Sequence, residues 1–434
     1  MKFVSILGLV ALLGAAWLMS SNKSKIRPRI IVWGLGLQLL FALIILSKDV
    51  LSFAGMYIFL CMMLVYLFSD KFIGKDDRRS QLLVFAGVGI AAAAIIALTF
   101  FLDGYGFAFY LAIAAFAAVL FGYFRKNATI RRYSIAVLLS AVLGIIFARE
   151  LYGQVIMQAI SAEVARFLQL TDLGTAFLFD NLAKEQYFSQ FGFQFAIRVL
   201  PTIIFFAAFM SILYYFGVIQ AIVETMSKFM RWTIGTSGAE TLSCSANVFV
   251  GQTEAPLLIK PFLKDMTMSE LATIMVGGFA TIAGGVLAGY IQMGVNAGHL
   301  IAASVMSAPA ALVVGKIIFP ETEHSQTAGD VKIPEVEKAG NLLEAASNGI
   351  TDGLKLAVNV AAMLVGFIAL IGLVDRYIFN ILDYLIDGQL LGGELVAVET
   401  SPFSPVTSQY LGIFPGSLKL FFGNVLRYLA FLMG

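Results

Sequence analysis

Polar side chains that could bind an ion and a small solute are concentrated in one apolar segment, AETLSCSANVFVGQTEAPLLIKPFL at residues 239–263. A membrane-spanning helix needs about 20 residues, so the segment is long enough to cross once. Its middle nevertheless carries hydroxyls, amides and a carboxylate, at Ser243, Ser245, Asn247, Gln252, Thr253 and Glu254. Oxygen groups bind hard cations and pair with the donors of a polar solute. Because a carboxylate at mid-bilayer depth costs about 2.5–3.5 kcal/mol, we interpret the segment as a functional site.

The backbone of this segment is predicted to break. Gly251 lowers helix stability, and Pro256 suits the first turn of a new helix because its missing N–H would be unpaired there anyway. We therefore predict two half-helices meeting at a polar tip near residues 247–255, a re-entrant hairpin. Such a tip offers carbonyls to a cation and a helix N-terminus to a solute. The alternative is a surface loop between amphipathic helices, or polar residues that only hold helices together.

Composition places the chain in a membrane. Of its 434 residues, 59% are hydrophobic and 13% charged, whereas soluble domains have about 45–50% apolar and about 25% charged residues. We predict an all-α polytopic membrane protein. The only histidines are His299 and His324, and Cys61 and Cys244 are far apart, so no histidine-based metal site, catalytic triad or disulfide framework is expected. We predict neither an enzyme nor a nucleic-acid partner.

Six apolar runs precede residue 149, and the basic loops between them predict the orientation. The runs are Phe3–Ser20, Ile30–Ser47, Leu51–Phe68, Leu82–Leu102, Phe107–Phe124 and Tyr133–Ala148. Clusters of Lys and Arg follow the first, third and fifth runs. The positive-inside rule places these three loops in the cytoplasm and the N-terminus outside. We interpret the first run as a membrane helix, since no small-residue cleavage site of a signal peptide stands out.

The remaining chain alternates amphipathic and apolar segments. Before the hairpin, the pattern predicts an interfacial helix at Glu150–Leu170, an apolar run kinked by Pro201 at Arg198–Val218 and an amphipathic piece at Ala221–Thr236. After it, the pattern predicts a glycine-rich membrane helix at Glu270–Met293, with unwinding around Thr281–Gly285, and a run interrupted by Pro309 at His299–Phe319. The last segments are a solvated loop at Glu321–Glu337, a long helix at Leu342–Asp375, a polar loop at Leu385–Ser408 and a further helix at Gln409–Gly434.

Four long motifs resemble one known family. NVFVGQTEAPLLIKPFL (247–263) resembles the first hairpin of the concentrative nucleoside transporters, which are sodium-coupled nucleoside symporters. GGFATIAGGVLAGYIQMG (277–294), SAPAALVVGKIIFPETE (307–323) and GLKLAVNVAAMLVGFIALI (353–371) resemble the blocks that follow it, in the same order. The resemblance covers roughly residues 1–50 and 140–434. It implies an inverted-repeat transporter fold and an elevator-type mechanism that uses the sodium gradient.

The resemblance also implies the site residues. The sodium ligands would be Asn247, Val250 through its carbonyl and, less directly, Thr281 and Ile282. Gln252, Thr253 and Glu254 would face the nucleobase, and Val286 would give apolar contact to its ring. Sodium is then the coupling ion with no further cofactor, a nucleoside is the substrate, and the protein is a homotrimer in the lipid bilayer. Apart from the resemblance, the absence of a long soluble N-terminal tail favours the inner (plasma) membrane as its location. A proton-coupled transporter of the same fold and a non-transporting fragment remain as alternatives.

The predicted domain plan follows from both arguments. It comprises N-terminal scaffold helices at 1–149 with extra helices inserted at about 50–140, an interfacial helix and loop at 150–196, a scaffold helix and connecting helix at 197–236, the transport-domain hairpin and two following helices at 237–320, a polar loop at 321–340, a long scaffold helix at 341–380, and a loop with the first arm of a second hairpin at 381–434.

The chain departs from the family pattern at its end. The family continues with an Asn-Glu-Phe motif and a Gly-Phe-Ala-Asn motif, which supply polar groups to the ribose, and neither motif occurs in this sequence. We therefore expect a C-terminally truncated sequence whose second repeat is incomplete and which does not transport alone. A naturally shortened relative is the alternative.

Overall fold

The structure is a computed structural model that describes residues 2–68, 78–101, 105–125, 127–183, 192–252, 255–327, 339–387 and 417–433. Within these ranges the secondary structure is helical, without strands, and eight helical stretches, some made of two consecutive helices, are long and apolar enough to cross a membrane. The all-α polytopic class is therefore confirmed. Thr253, Glu254, most of the polar loop after residue 327 and the predicted loop at 388–408 lie outside the described residues.

The N-terminal helices agree with the six apolar runs. They are α1 (Lys2–Leu18), α2 (Pro28–Leu46), α3 (Val50–Phe68), α4 (Arg78–Phe101), α5 (Tyr105–Phe124) and α6 (Ala128–Ala148). Side chains of α3, α4 and α6, among them Met56, Leu60, Ile96 and Leu143, form one buried cluster. Small residues such as Ala92 lie inside that cluster, where they allow close packing of the helices.

The predicted kink at Pro201 is replaced by a helix start. A short helix α9 (Phe195–Arg198) ends at Val199, and α10 (Leu200–Tyr215) begins with Pro201 in its first turn. A proline is tolerated there because its missing N–H needs no intrahelical partner. Before these lie α7 (Gly153–Gln169), which matches the predicted amphipathic helix, and α8 (Thr171–Phe179).

The glycine-rich segment forms two helices instead of one. After α11 (Val218–Ile234) and the hairpin come α13 (Met268–Ala280) and α14 (Gly284–Gln292). Between them Thr281 has φ −119° and ψ 163°, which is extended backbone. The predicted unwinding is therefore present, but it is confined to residues 281–283.

The predicted interruption at Pro309 is wrong. Helix α15 (Ala297–Ile318) runs through Pro309 without a break. An internal proline costs roughly 3 kcal/mol or more, yet this one is buried beside Ala308, Ala311 and Leu312, which belong to the largest core cluster. Packing of this helix against its neighbours therefore offsets the lost backbone hydrogen bond.

The C-terminal helices are α16 (Leu342–Val374), α17 (Asn380–Asp387) and α18 (Leu418–Met433), with a π-helical turn at Asp375–Phe379. Helix α16 packs closely on α10, because Gly349 and Gly353 of α16 leave room for Ala207 and Ala208 of α10. Ser211 Oγ on α10 donates to Ala345 O on α16 at 2.7 Å. Helix α18 lies within the predicted arm of a second hairpin, which remains a prediction.

Two contacts place the base of the hairpin beside the first basic loop. Ser21 N donates to Ile318 O at the end of α15 at 2.9 Å, and Arg29 Nη2 donates to Trp232 O near the end of α11 at 3.0 Å. The base of the hairpin therefore lies on the side that the positive-inside rule assigns to the cytoplasm. The orientation of the whole protein stays a prediction.

Candidate functional site

The first limb of the hairpin is a short helix, α12 (Gly238–Ala246), which begins with a capping box. Glu240 N donates to Ser237 Oγ, and Ser237 N donates in return to Glu240 Oε1 at 2.8 Å. This exchange pairs two backbone donors that a helix start leaves free. The helix ends at Ala246, and Asn247 is its C-terminal cap.

The chain then leaves helical geometry, as predicted. Residues 247–250 form turns, and the second limb begins at Ala255 and runs to Asp265 as a 3₁₀ helix rather than the expected α-helix. Pro261, inside the limb, lacks the N–H group that an α-helical bond would use, whereas Pro256 lies in the first turn, where no such bond is made. Leu242 and Ala246 of the first limb share a buried cluster with Leu258 and Ile259 of the second.

Asn247 is the most informative residue of the tip. Its side chain is 0% exposed, and neither Oδ1 nor Nδ2 has a hydrogen-bond partner within the described part of the chain. Leaving a buried polar group unpaired costs about 1–3 kcal/mol. The amide oxygen is therefore available to bind a ligand.

Glycines bring the tip against the break between α13 and α14. A Cβ placed on Gly277 would lie 3.5 Å from Asn247 Nδ2, one on Gly278 would lie 3.3 Å from Gln252 Cβ, and one on Gly284 would lie 2.6 Å from Phe249 O. The approach at Gly284 leaves no room for a side chain and the one at Gly278 is tight, whereas the distance at Gly277 is an ordinary van der Waals contact. The structure thus brings the hairpin tip close to the break that contains Thr281 and Ile282.

The helix ends at this place favour a cation. The C-termini of α12 and α13 meet where Asn247 lies against Gly277, and each helix C-terminus carries roughly half a negative charge. Thr281 Oγ1 donates to Gly277 O at 3.0 Å, so its own lone pairs remain for a ligand. Helix α14 begins three residues later, and its N-terminus favours a polar solute.

The remaining predicted residues are placed with less detail. Val250 is buried, with 7% exposure, and Ile282 and Val286 are half-buried. Gln252 is exposed beside Gly278. Thr253 and Glu254 lie outside the described residues, so their roles stay predictions.

Two buried polar residues, Ser304 and Lys316, were missed in the sequence, and Ser243 was named there without a specific role. Ser243 Oγ and Ser304 Oγ are buried with no hydrogen-bond partner among the described residues. Ser243 lies one helical turn before Asn247. Lys316 is buried against Glu240. The capping-box patterns at Ser237–Glu240 and Thr267–Glu270 can be recognised in the sequence, but they do not predict that Glu240 pairs with Lys316.

Three family models match the chain. They are the Na⁺-dependent nucleoside transporter N-terminus at residues 7–59 and 109–182, a nucleoside-recognition domain called Gate at 196–297, and the Na⁺-dependent nucleoside transporter C-terminus at 299–434. The chain belongs to the concentrative nucleoside transporter family. The family is one of transporters, which agrees with the prediction that the chain is not an enzyme. The N-terminal model leaves residues 60–108 unmatched, within the stretch predicted as extra helices.

Several relatives carry the same description. Sodium/nucleoside cotransporter 1 of Oryctolagus cuniculus is 36% identical over 399 residues, which are 86% of this chain and 58% of that protein. Sodium/nucleoside cotransporter 2 of Rattus norvegicus is 42% identical over 275 residues, 63% of this chain and 39% of that protein. The chain thus spans between about a third and three fifths of such relatives.

The fold is also similar to solved structures of a transporter called CNTnw. The inward-facing substrate-bound state has a TM-score of 0.59 and 28% identity, and the match covers 88% of this chain and 67% of that one. An outward-facing state of a CNTnw variant gives a TM-score of 0.60 at 29% identity. Both conformations of this neighbour therefore share the helical arrangement described above.

Proposed function

We propose that this chain carries the ion-binding hairpin of a sodium-coupled nucleoside transporter. The observation that carries the proposal is the buried, unpartnered amide of Asn247 at the meeting point of two helix C-termini. A hard cation such as sodium accepts oxygen ligands and is stabilised by helix C-termini. The family description and the sodium/nucleoside relatives support the same ion and substrate.

The proposed roles follow the resemblance to the family. Asn247 through its side chain and Val250 through its carbonyl bind sodium from the hairpin, and Thr281 and Ile282 complete the site from the break. The nucleoside-binding residues are Gln252, Thr253, Glu254 and Val286. An amide, a hydroxyl and a carboxylate can pair with the donors and acceptors of a nucleobase edge.

Sodium and nucleoside are coupled because the same short tip binds both. Sodium at Asn247 and Val250 fixes the backbone that presents Gln252 two residues later. Linkage then requires each ligand to raise the affinity for the other. The proposal places the protein in an inner (plasma) membrane with its N-terminus outside.

An elevator mechanism requires a fixed scaffold, and α16 is suited to that role. Its apolar residues, including Val365, Phe367 and Ile368, are more than half exposed in the single chain. We propose that these residues lie at the subunit interface of a homotrimer, with lipid covering the rest. The molar mass of the detergent-solubilised full-length protein, corrected for bound detergent, should correspond to three chains, and a monomer would contradict this.

The test of the function is a sodium titration of nucleoside uptake in proteoliposomes, with choline replacing sodium at constant ionic strength. We expect Asn247→Ala to lower the apparent sodium affinity at least tenfold, because an oxygen ligand is lost. Asn341→Ala is the matched control, since Asn341 caps α16 with its Oδ1 accepting from Glu344 N at 2.9 Å. The control should keep the wild-type sodium midpoint.

Other outcomes select other functions. An unchanged sodium midpoint in Asn247→Ala would remove this residue from the ion site. Wild-type uptake that follows pH and ignores sodium would select a proton-coupled transporter. If no nucleoside is taken up at any sodium concentration, the result would select a non-transporting role.

A further inference from the structure

A buried lysine lies at the base of the hairpin, away from the tip. Lys316, in the last turn of α15, is 5% exposed. Its Nζ lies 2.8 Å from Glu240 Oε2 on α12 and donates to Ser269 Oγ on α13 at 2.8 Å. It also donates to Glu321 Oε2 at 3.2 Å. One ammonium group therefore joins the first turns of the two helices that lead to the proposed ion site.

The surrounding hydrogen bonds close a ring around this lysine. Thr267 Oγ1 donates to Glu321 Oε2 at 2.9 Å, and Thr267 N donates to Glu270 Oε2 at 2.9 Å. The hydroxyl of Thr327 donates to Glu270 Oε1 at 2.5 Å, and its carbonyl accepts from Gly238 N at 2.9 Å. The starts of α12 and α13 and the end of α15 are thus fixed to one another by directional bonds.

The contacts further along α12 and α13 set the axial position less strictly. Cys244 Sγ lies 3.9 Å from Thr273 O, which is a weak hydrogen bond, and Gly277 offers no side chain. These contacts are not directional, whereas the hydrogen bonds from Lys316 to Ser269 and Glu321 require a defined distance and angle, and the ion pair with Glu240 adds a charge attraction.

The register of the two helices decides whether the ion ligands meet. Asn247 lies seven residues after Glu240, about 10.5 Å along α12, and Thr281 lies twelve residues after Ser269, about 18 Å along α13. A shift by one residue, about 1.5 Å, would move Asn247 away from Gly277 and Thr281. Sodium coordination requires ligand distances that are much better defined than this shift.

We propose that Lys316 is a positioning residue for the ion site, which it serves by fixing the register of α12 against α13 through Glu240 and Ser269. The proposal rests on the proposed function, because Asn247 and Thr281 must share an ion for the register to matter. Buried ion pairs contribute little net stability and in some proteins specify one arrangement of a structure, as this pair does here.

The decisive variant removes both charges together. Lys316→Met with Glu240→Gln avoids leaving the fully buried Glu240 carboxylate unpaired, which would unfold the protein for unrelated reasons. Glu321, whose side chain is 11% exposed, loses Lys316 and keeps the hydroxyl of Thr267 as a donor at 2.9 Å. We expect the apparent sodium affinity to fall at least fivefold, while the nucleoside KM at saturating sodium stays within twofold of wild type. Lys316→Arg keeps the charge and several donors and should recover at least half of the lost affinity.

The matched control removes another ion pair of the hairpin region. Glu224 and Lys228 on α11 form a half-exposed pair at 2.5 Å. Glu224→Gln with Lys228→Met should keep the wild-type sodium midpoint. Ser269→Ala removes the bond from Lys316 to α13 and also the bond from Ser269 Oγ to Phe319 O at 2.5 Å, both of which join α13 to the end of α15. This variant should shift the midpoint in the same direction as the double variant by a smaller factor.

A second readout separates this inference from the transport function. The sodium-dependent rise in Tm of the purified full-length protein reports ion binding without uptake. If wild type shows the sodium-dependent rise but no nucleoside uptake, the proposed function fails and the register can still be tested by Tm. A folded double variant with the wild-type sodium midpoint in both assays would overturn the inference. If the double variant does not fold, a wild-type midpoint in Ser269→Ala would overturn it.

Discussion

At the residue scale, the hairpin buries polar atoms without pairing them. Asn247 and Ser243 are both 0% exposed, and neither side chain has a hydrogen-bond partner among the residues described. They lie one turn apart on α12, so their free atoms lie on the same face. Such groups are costly in a core and useful at a binding site, because a bound ion or water can satisfy them.

Glu254 provides the sharpest prediction for a single side chain. We expect Glu254→Gln in the full-length protein to reduce nucleoside uptake at least 100-fold while the protein still folds. A carboxylate accepts two donors from a nucleobase, whereas an amide replaces one acceptor with a donor and leaves a polar group of the complex unpaired. Uptake of radiolabelled nucleoside at saturating sodium measures the effect.

The control for this change is Glu163→Gln. Glu163 is 70% exposed and pairs only at the surface with Arg166 on α7, at 2.7 Å. Loss of an exposed pair has little effect, so uptake should equal that of wild type. Normal uptake in the Glu254→Gln variant would remove Glu254 from the binding site.

At the element scale, the site exists because two helices stop at the same place. Helix α12 ends at Ala246, and α13 ends at Ala280. The tip approaches the break so closely that Phe249 O lies over Gly284, the first residue of α14. The absence of a side chain at Gly284 is therefore a condition for the close approach.

The corresponding prediction is that Gly284→Ala impairs coupling. The new methyl group would lie 2.6 Å from Phe249 O and 2.7 Å from Phe206 Cε1, so the tip must move. We expect the apparent sodium affinity to fall several-fold and the protein to lose about 1–3 kcal/mol of stability. Sodium titration of uptake and the Tm of the purified protein measure the two effects.

Gly36→Ala separates this effect from a general cost of replacing glycine. A Cβ at Gly36, on α2, would have no heavy atom within 4 Å. The substitution should leave sodium affinity unchanged and stability equal or slightly higher, since alanine favours a helix. Equal behaviour of the two alanine variants would show that the tip does not depend on Gly284.

At the scale of the whole molecule, the proposed elevator requires α15 to move relative to α2. The two helices pack tightly in this conformation, with Leu37 of α2 and Leu312 of α15 in one buried cluster. A Cβ on Gly34 would lie 3.6 Å from Val313 Cβ, which is within the range found in disulfides. This close pair makes the relative motion of the two helices testable.

We predict that the variant with both Gly34→Cys and Val313→Cys does not transport under oxidising conditions and transports again under reducing ones. A disulfide between α2 and α15 would hold the transport domain against the scaffold, so the binding site could not move from one side of the membrane to the other. The measurement is nucleoside uptake before and after treatment with dithiothreitol.

Each single cysteine variant is the control, because Cys61 and Cys244 are already buried and free. Neither single variant should respond to oxidation. A cross-linked double variant that transports at the wild-type rate would show that these two helices do not separate, and the elevator division at α2 and α15 would be wrong.

Much of the helical plan was predictable because it follows from local properties. Apolar runs long enough to span a bilayer predicted α1 to α6, and glycine content predicted the break after α13. Local rules failed at Pro201 and Pro309, since a proline's effect depends on its position in the helix and on what packs around it. The 3₁₀ geometry of the second limb was likewise missed.

The sequence by itself determined the membrane class, the family and a polar break within the hairpin. These depend on residue types and on their order along the chain, which are available without coordinates. Only the tertiary structure showed that Asn247 lies unpaired against Gly277 and that Lys316 joins Glu240 to Ser269. Those partners are 30 to 76 residues apart, and no local pattern specifies which distant residues meet, because packing of whole helices decides it.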